Sequence, residues 1–146
     1  MITIAIAEDH QSLIDGIELL IKAEEDISLV GSANNGEELL KIVRLKQPKV
    51  IIMDIRMPKL DGIEATRVIK KEFPHIKVIA FTMFDQEDAV KQMINAGASG
   101  YILKHSPLEE ILNAIRTVAS GKDFYDNSIN LDSIKDAESS NKKLLL

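Results

Sequence analysis

The chain has 146 residues, no cysteine and a formal net charge of −5, with 45% hydrophobic and 28% charged residues. This length suits one domain with a substantial core, and the absence of thiols excludes both a disulfide framework and thiolate metal sites. No apolar run approaches the roughly 18 residues of a membrane span, and MITIAIAEDH lacks the basic region and cleavage site of a signal peptide. No stripe of Lys and Arg could track a phosphate backbone. The expectation is a cytoplasmic protein with no membrane contact and no nucleic-acid binding by this chain itself.

Short apolar runs alternate with longer segments of helical period, the pattern of a parallel sheet built from βα units. The strand candidates are ITIAIA (2 to 7), ISLVGSA (27 to 33), KVIIMD (49 to 54), KVIAFT (77 to 82) and GYILK (100 to 104). The first, third and fourth are nearly continuous apolar runs, as strands covered on both faces require. The second carries Ser28 and Ser32 and reads as an edge strand. Between them, Leu13, Ile17, Leu20 and Ile21 recur at helical spacing, and similar stripes run through EELLKIVRLK, IEATRVIKKEF, DAVKQMINAG and LEEILNAIRTVA. Asn35 with Glu38, Asp61 with Glu64, and Ser106-Pro107 with Glu109 predict helix starts. Gly97 and Gly121 predict left-handed helix ends.

These units make the fold an α/β doubly wound five-stranded parallel sheet, a (βα)5 arrangement of flavodoxin-like order 2-1-3-4-5. Residues 1–121 form the domain, and the polar stretch 122–146 reads as a linker or tail with no sustained apolar period.

In such a sheet, sites form outside the carboxyl ends of the strands. The first strand ends in Glu8 and Asp9, the third in Asp54, the fourth in Thr82 and the fifth in Lys104. Taken singly, each has an ordinary reading: Asp54 as a turn former, Glu8-Asp9 as a helix entry, Thr82 as a strand end, Lys104 as a surface charge. Taken together they place three carboxylates, a hydroxyl and an ammonium at one edge. Crowded carboxylates demand a positive neutraliser, which Lys104 or a divalent cation supplies. An all-oxygen ligand set suits Mg²⁺, and Asp54 would then be a nucleophile able to form an aspartyl phosphate.

The acidic pair Glu8-Asp9, the segment DIRMPKLDG, Thr82, and Lys104 within NAGASGYILK resemble the receiver (CheY-like) domain of two-component response regulators, from Met1 to about Gly121. That resemblance implies that Asp54 is the phosphoacceptor, supplied by a sensor histidine kinase. It implies that Asp9 and Asp54 ligate Mg²⁺, with Glu8 assisting and the Arg56 backbone carbonyl as a further ligand. Thr82 and Tyr101 would be the switch pair, with Tyr101 rotating inward from solvent to alter the surface of the fourth helix, fifth strand and fifth helix. Arg56 and Met83 occupy positions that modulate the lifetime of the phosphoryl group. The chain would be no enzyme in the ordinary sense, but a phosphoacceptor that promotes its own phosphorylation and dephosphorylation. EDH, the NAGASGYILK form and the polar linker resemble the NarL/LuxR type. This implies transcription regulation through DNA bound by a C-terminal helix-turn-helix domain not present in this chain, and a homodimer dependent on phosphorylation.

Two other readings compete. A stand-alone receiver would act through protein contacts only. An aspartate-nucleophile phosphatase needs a second aspartate two residues after its nucleophile, where this chain has Arg56. His10 reads as a helix opener rather than a Mg²⁺ ligand, since Mg²⁺ prefers oxygen; His75 and His105 read as solvated.

Overall fold

The three most apolar runs of the sequence occupy the middle of one parallel sheet. In the computed structural model, which describes residues 1–83, 87–127 and 129, the elements alternate as β1 (Ile2–Ala7), α1 (Gln11–Lys22), β2 (Ile27–Ala33), α2 (Gly36–Lys46), β3 (Val50–Met53), α3 (Gly62–Glu72), β4 (Lys77–Thr82), α4 (Glu87–Ala96), β5 (Gly100–Leu103), α5 (Glu109–Ala119) and β6 (Phe124–Tyr125). The strand order is β2-β1-β3-β4-β5-β6. The expected 2-1-3-4-5 order is present, and the mixed β2 lies at an edge. The expectation of five strands is corrected: Phe124–Tyr125, in the stretch read as a linker, adds a sixth parallel strand to β5.

Strand alternation divides the interior in two. Ile4 and Ile6 belong to one apolar cluster with Ile14, Ile17 and Ile115, on the α1 and α5 side. Ala5 and Ala7 belong to the other with Leu39, Val43, Ile69 and Met93, on the α2, α3 and α4 side. The central strands are buried at nearly every position, so charged residues are confined to their ends, such as Lys77 at the start of β4 and the residues just beyond the carboxyl ends. On α1 the buried line is Ile14, Ile17 and Ile21. Leu13 and Leu20 are half-buried at its margin, so the stripe keeps Ile17 and Ile21 and is rotated slightly toward Ile14.

Two helix starts follow the expected chemistry. Asn35 Oδ1 accepts from the Glu38 N–H and Asp61 Oδ1 from the Glu64 N–H, each at 2.9 Å. Gly97 and Gly121 take φ of +107° and +96°, as left-handed ends require. The third start is corrected. Leu108 is the N-cap of α5 and receives no side-chain cap, because Ser106 lies too far upstream and gives its hydroxyl to Asp126 instead.

Gly62 fixes how α3 meets the sheet. A Cβ there would stand 2.1 Å from the Asp54 carbonyl oxygen and 2.9 Å from Ile55 Cα, while the Gly62 N–H donates to the Ile55 carbonyl at 2.7 Å. The first turn of α3 is thus pressed directly on the backbone that carries Asp54. Gly62→Ala is expected to lose about 2 kcal/mol or more of stability by overpacking against backbone, measured by urea unfolding. A Gly16→Ala control, whose nearest neighbour would be 3.9 Å away, should lose less than half as much.

Candidate functional site

Three charged residues each stand one position beyond a strand, and each is anchored by its backbone to the neighbouring strand. Glu8 N–H donates to the Ala33 carbonyl at 2.9 Å, Asp54 N–H to Ala7 at 2.9 Å, and Lys104 N–H to Thr82 at 2.8 Å. The ladder therefore continues for one residue after the apolar run stops. It delivers Glu8, Asp54 and Lys104 to one sheet edge with backbone positions as fixed as those of the core.

Their side chains meet. Lys104 Nζ lies 2.6 Å from Glu8 Oε1 and 3.1 Å from Asp54 Oδ2, with all three side chains at most 7% exposed. The ammonium also sits 5.8 Å from the centre of the Phe81 ring, a neighbour the sequence reading did not single out. Its only cue was an aromatic residue immediately before Thr82. Glu8 Oε2 accepts from the Asp9 N–H at 3.0 Å. Glu8 Oε1 pairs with the ammonium by charge but lacks an aligned hydrogen-bond donor, leaving lone-pair capacity in a buried carboxylate.

Asp9 is more open, with its side chain 39% exposed, and it lines a shallow cleft with Arg56, Met57, Pro58 and Asp61. Ligand atoms of Glu8, Asp9, His10 and Asp54 all lie within 4.8 Å of one another. Three of the four offer carboxylate oxygen, the donor set of a hard divalent cation, and the spare capacity of Glu8 Oε1 fits such an ion. His10 is placed closer to this group than its reading as a helix opener implied: Nδ1 is 3.1 Å from Asp9 Oδ1. It also opens α1 as expected, its carbonyl accepting from Leu13 and Ile14.

Thr82 ends β4, fully buried, and its carbonyl holds Lys104. Arg56 is exposed in the loop after Asp54. In that loop Lys59 takes a φ of +67°, an unusual conformation for a residue with a Cβ. Met83 is 68% exposed and borders a second shallow pocket with His10, Ser12, Leu13 and Lys104. Tyr101 requires a correction. The sequence reading placed it in solvent before any switching, whereas here it is 1% exposed. It belongs to the α4-side cluster together with Ile129, and its strand is covered by β6, with Tyr101 in register with Tyr125.

The electrostatics follow from this packing. Burial, reinforced by the adjacent Glu8 carboxylate and only partly opposed by Lys104, pushes the Asp54 carboxyl up to about 7. Burial pulls the Lys104 ammonium down, but its bonds to Glu8 and Asp54 outweigh that and hold it above the usual lysine range. The folded protein therefore keeps a proton on Asp54 to higher pH than the unfolded chain does. The stability this proton contributes is complete below the ordinary carboxylate range and is lost as pH rises through about 7. With divalent cations chelated, Asp54→Asn is expected to gain on the wild type by on the order of 1 to 2 kcal/mol between about pH 5 and about pH 8, after allowance for solvent screening. Urea midpoints that stay parallel across that range would show that Asp54 ionises without penalty.

A family model described as the response regulator receiver domain matches residues 4–116. The chain is 42% identical over 125 residues to the transcriptional regulatory protein DesR of Bacillus subtilis, covering 86% of this chain and 62% of that protein. It is 39% identical over 124 residues to the oxygen regulatory protein NreC of Staphylococcus epidermidis, covering 84% and 57%. It thus spans about six-tenths of the length of these relatives. Among solved structures, a LuxR-family two-component response regulator from Aurantimonas superposes with a TM-score of 0.85 at 28% identity, covering 92% of this chain and 96% of that one. A LuxR-family DNA-binding response regulator from Staphylococcus aureus gives 0.77 at 30%, covering 82% and 99%. A buried lysine between two carboxylates, on a sheet of this order and with this breadth of similarity, has one consistent interpretation: the chain belongs to the response regulator receiver family, of the LuxR-type branch.

Proposed function

We propose that this receiver takes a phosphoryl group from the phosphohistidine of a sensor histidine kinase onto Asp54, and thereby controls an output. The observation that carries the reading is the Lys104 ammonium, fixed by Glu8 and in contact with Asp54 Oδ2. It orients the acceptor and is in place to meet negative charge arriving there. In the transfer, the other Asp54 oxygen attacks phosphorus, the P–N bond breaks, and its electron pair returns to the imidazole, which takes a proton from water. Lys104 offsets charge on the transferring oxygens, and the Thr82 hydroxyl donates to one of them. Mg²⁺ bound by Asp9 and Asp54, with Glu8 and the Arg56 carbonyl assisting, would supply the remaining neutralisation. Arg56 stands where an aspartate-nucleophile phosphatase needs its general acid, which argues against a phosphatase that turns over many esters.

The phosphoryl group then acts through Thr82 and Tyr101 on the α4, β5 and α5 surface. The names of the relatives, regulators of transcription longer than this chain, support an output in DNA-binding transcription control through a C-terminal helix-turn-helix domain, with a phosphorylation-dependent homodimer. The absence of a basic surface stripe in this acidic chain agrees with DNA contact belonging to that other domain. The rival stand-alone receiver would share the phosphoryl chemistry and differ only in output.

Incubation with Mg²⁺ and acetyl phosphate should add one base-labile phosphoryl group, seen in the intact mass and absent in Asp54→Asn. Lys104→Ala should slow the labelling by about 10-fold or more, with circular dichroism verifying its fold. An adduct that persists in Asp54→Asn would move the acceptor elsewhere.

A further inference from the structure

The edge of β5 is occupied. Phe124 N–H donates to the Ser99 carbonyl at 3.0 Å and Asp126 N–H to the Tyr101 carbonyl at 2.9 Å, so the segment after α5 lies along β5 as a strand. Gly100 allows the approach, since a Cβ there would meet the Phe124 carbonyl oxygen at 3.1 Å. Beyond the strand, Ile129 N–H donates back to the Asp126 carbonyl at 2.9 Å. That turn buries Ile129 to 5% exposure in the cluster that contains Tyr101. Asp126 also accepts from the Ser106 hydroxyl, two residues after Lys104. Phe124 packs against the α1 and α5 side of the sheet and Tyr125 and Ile129 against the other, so the segment is held from both faces of the β5 edge.

The same segment is therefore attached at two places that the acceptor chemistry uses. One is Tyr101, through its backbone and the apolar cluster; the other is the loop that leaves Lys104, through Ser106. We propose that docking of β6, Asp126 and Ile129 on the β5 edge is coupled to phosphorylation of Asp54, a step that rests on the acceptor reading above. The docked segment keeps Tyr101 buried and steadies the Lys104 loop, the arrangement in which the phosphoryl oxygens find their partners. Coupling of this kind is reciprocal: a segment that favours the phosphorylated form must itself be held more firmly once Asp54 is phosphorylated. The segment thereby carries the state of the acceptor into the chain that follows it.

The test uses the full chain with Mg²⁺ and either beryllofluoride or acetyl phosphate, reading hydrogen exchange by mass spectrometry and intact mass on the same sample. Amides of 124–129 should gain protection by about 5-fold or more, within the usual span of coupling between two sites. Ile129→Asp and Ser106→Ala should remove that gain and weaken beryllofluoride binding by a similar factor, while protection of β1, β3 and β4 stays at wild-type level. An adduct on Asp54 with unchanged or weakened protection of 124–129 overturns the coupling and leaves the acceptor reading standing. Beryllofluoride binding by Ile129→Asp at wild-type affinity also overturns it. No adduct in the wild type overturns both.

Discussion

The structure depends on a single lysine held between two buried carboxylates. Lys104 pairs with Glu8 and Asp54 where all three side chains are almost wholly removed from water. Desolvating any one of these ions alone would cost several kcal/mol. Their mutual neutralisation is what permits ionisable groups directly against the apolar ends of β1, β3 and β5. The pair also has consequences beyond its own energy. It fixes an ammonium at the point where the proposed transfer would bring charge, so reorganisation during that transfer would be small.

Such precision requires stiff supports, and the sheet supplies them by continuing its ladder one residue past each apolar run. Close backbone packing supplies the rest. Gly62 lets the first turn of α3 press on Asp54, and Gly36 lets α2 approach the Leu60 carbonyl to a distance where a Cβ would stand 2.3 Å away. The loop between, with Lys59 left-handed, is thus confined at both ends. Glu8, Asp54 and Lys104 are far apart in sequence yet held together because the connections that separate them are packed into the same two cores.

Much of this was legible in the sequence, for a physical reason. Continuous apolar runs and helical stripes report burial directly, so β1, β3 and β4 and the five helices were placed. Polar residues at the strand ends announced themselves by contrast with those runs. What escaped were features decided by tertiary contact. Ser106-Pro107-Leu108-Glu109 has the composition of a capped start, yet the hydroxyl found a better acceptor in Asp126, twenty residues on. Phe124-Tyr125 is too short to carry a period, and only the vacant edge of β5 makes it a strand. Tyr101 was read as solvent-facing because a strand residue's exposure depends on what covers the edge, and the cover was the same unrecognised segment. The shift from Leu13 to Ile14 on α1 is of another kind, a rotation smaller than the spacing pattern can resolve.

Charge balance explains why the site is responsive rather than merely stable. The carboxylates of Glu8, Asp9 and Asp54 face one ammonium, which leaves an excess of two negative charges when all are ionised. Without a cation the protein lowers that excess by holding a proton on Asp54, whose carboxyl is pushed up to about 7. A divalent cation would cancel the excess outright and release the proton, freeing the carboxylate to act as a nucleophile. On the proposed acceptor role, phosphorylation would then remove the Asp54 charge and introduce roughly −1.5 to −2 in its place, so the balance would tip back by about one unit. Lys104, 3.1 Å from Asp54 Oδ2, adjoins that position. On that reading, a site poised within about one charge of neutrality in each state would couple a covalent event to the lysine loop and its neighbours, with no need to pay for an isolated buried ion at any step.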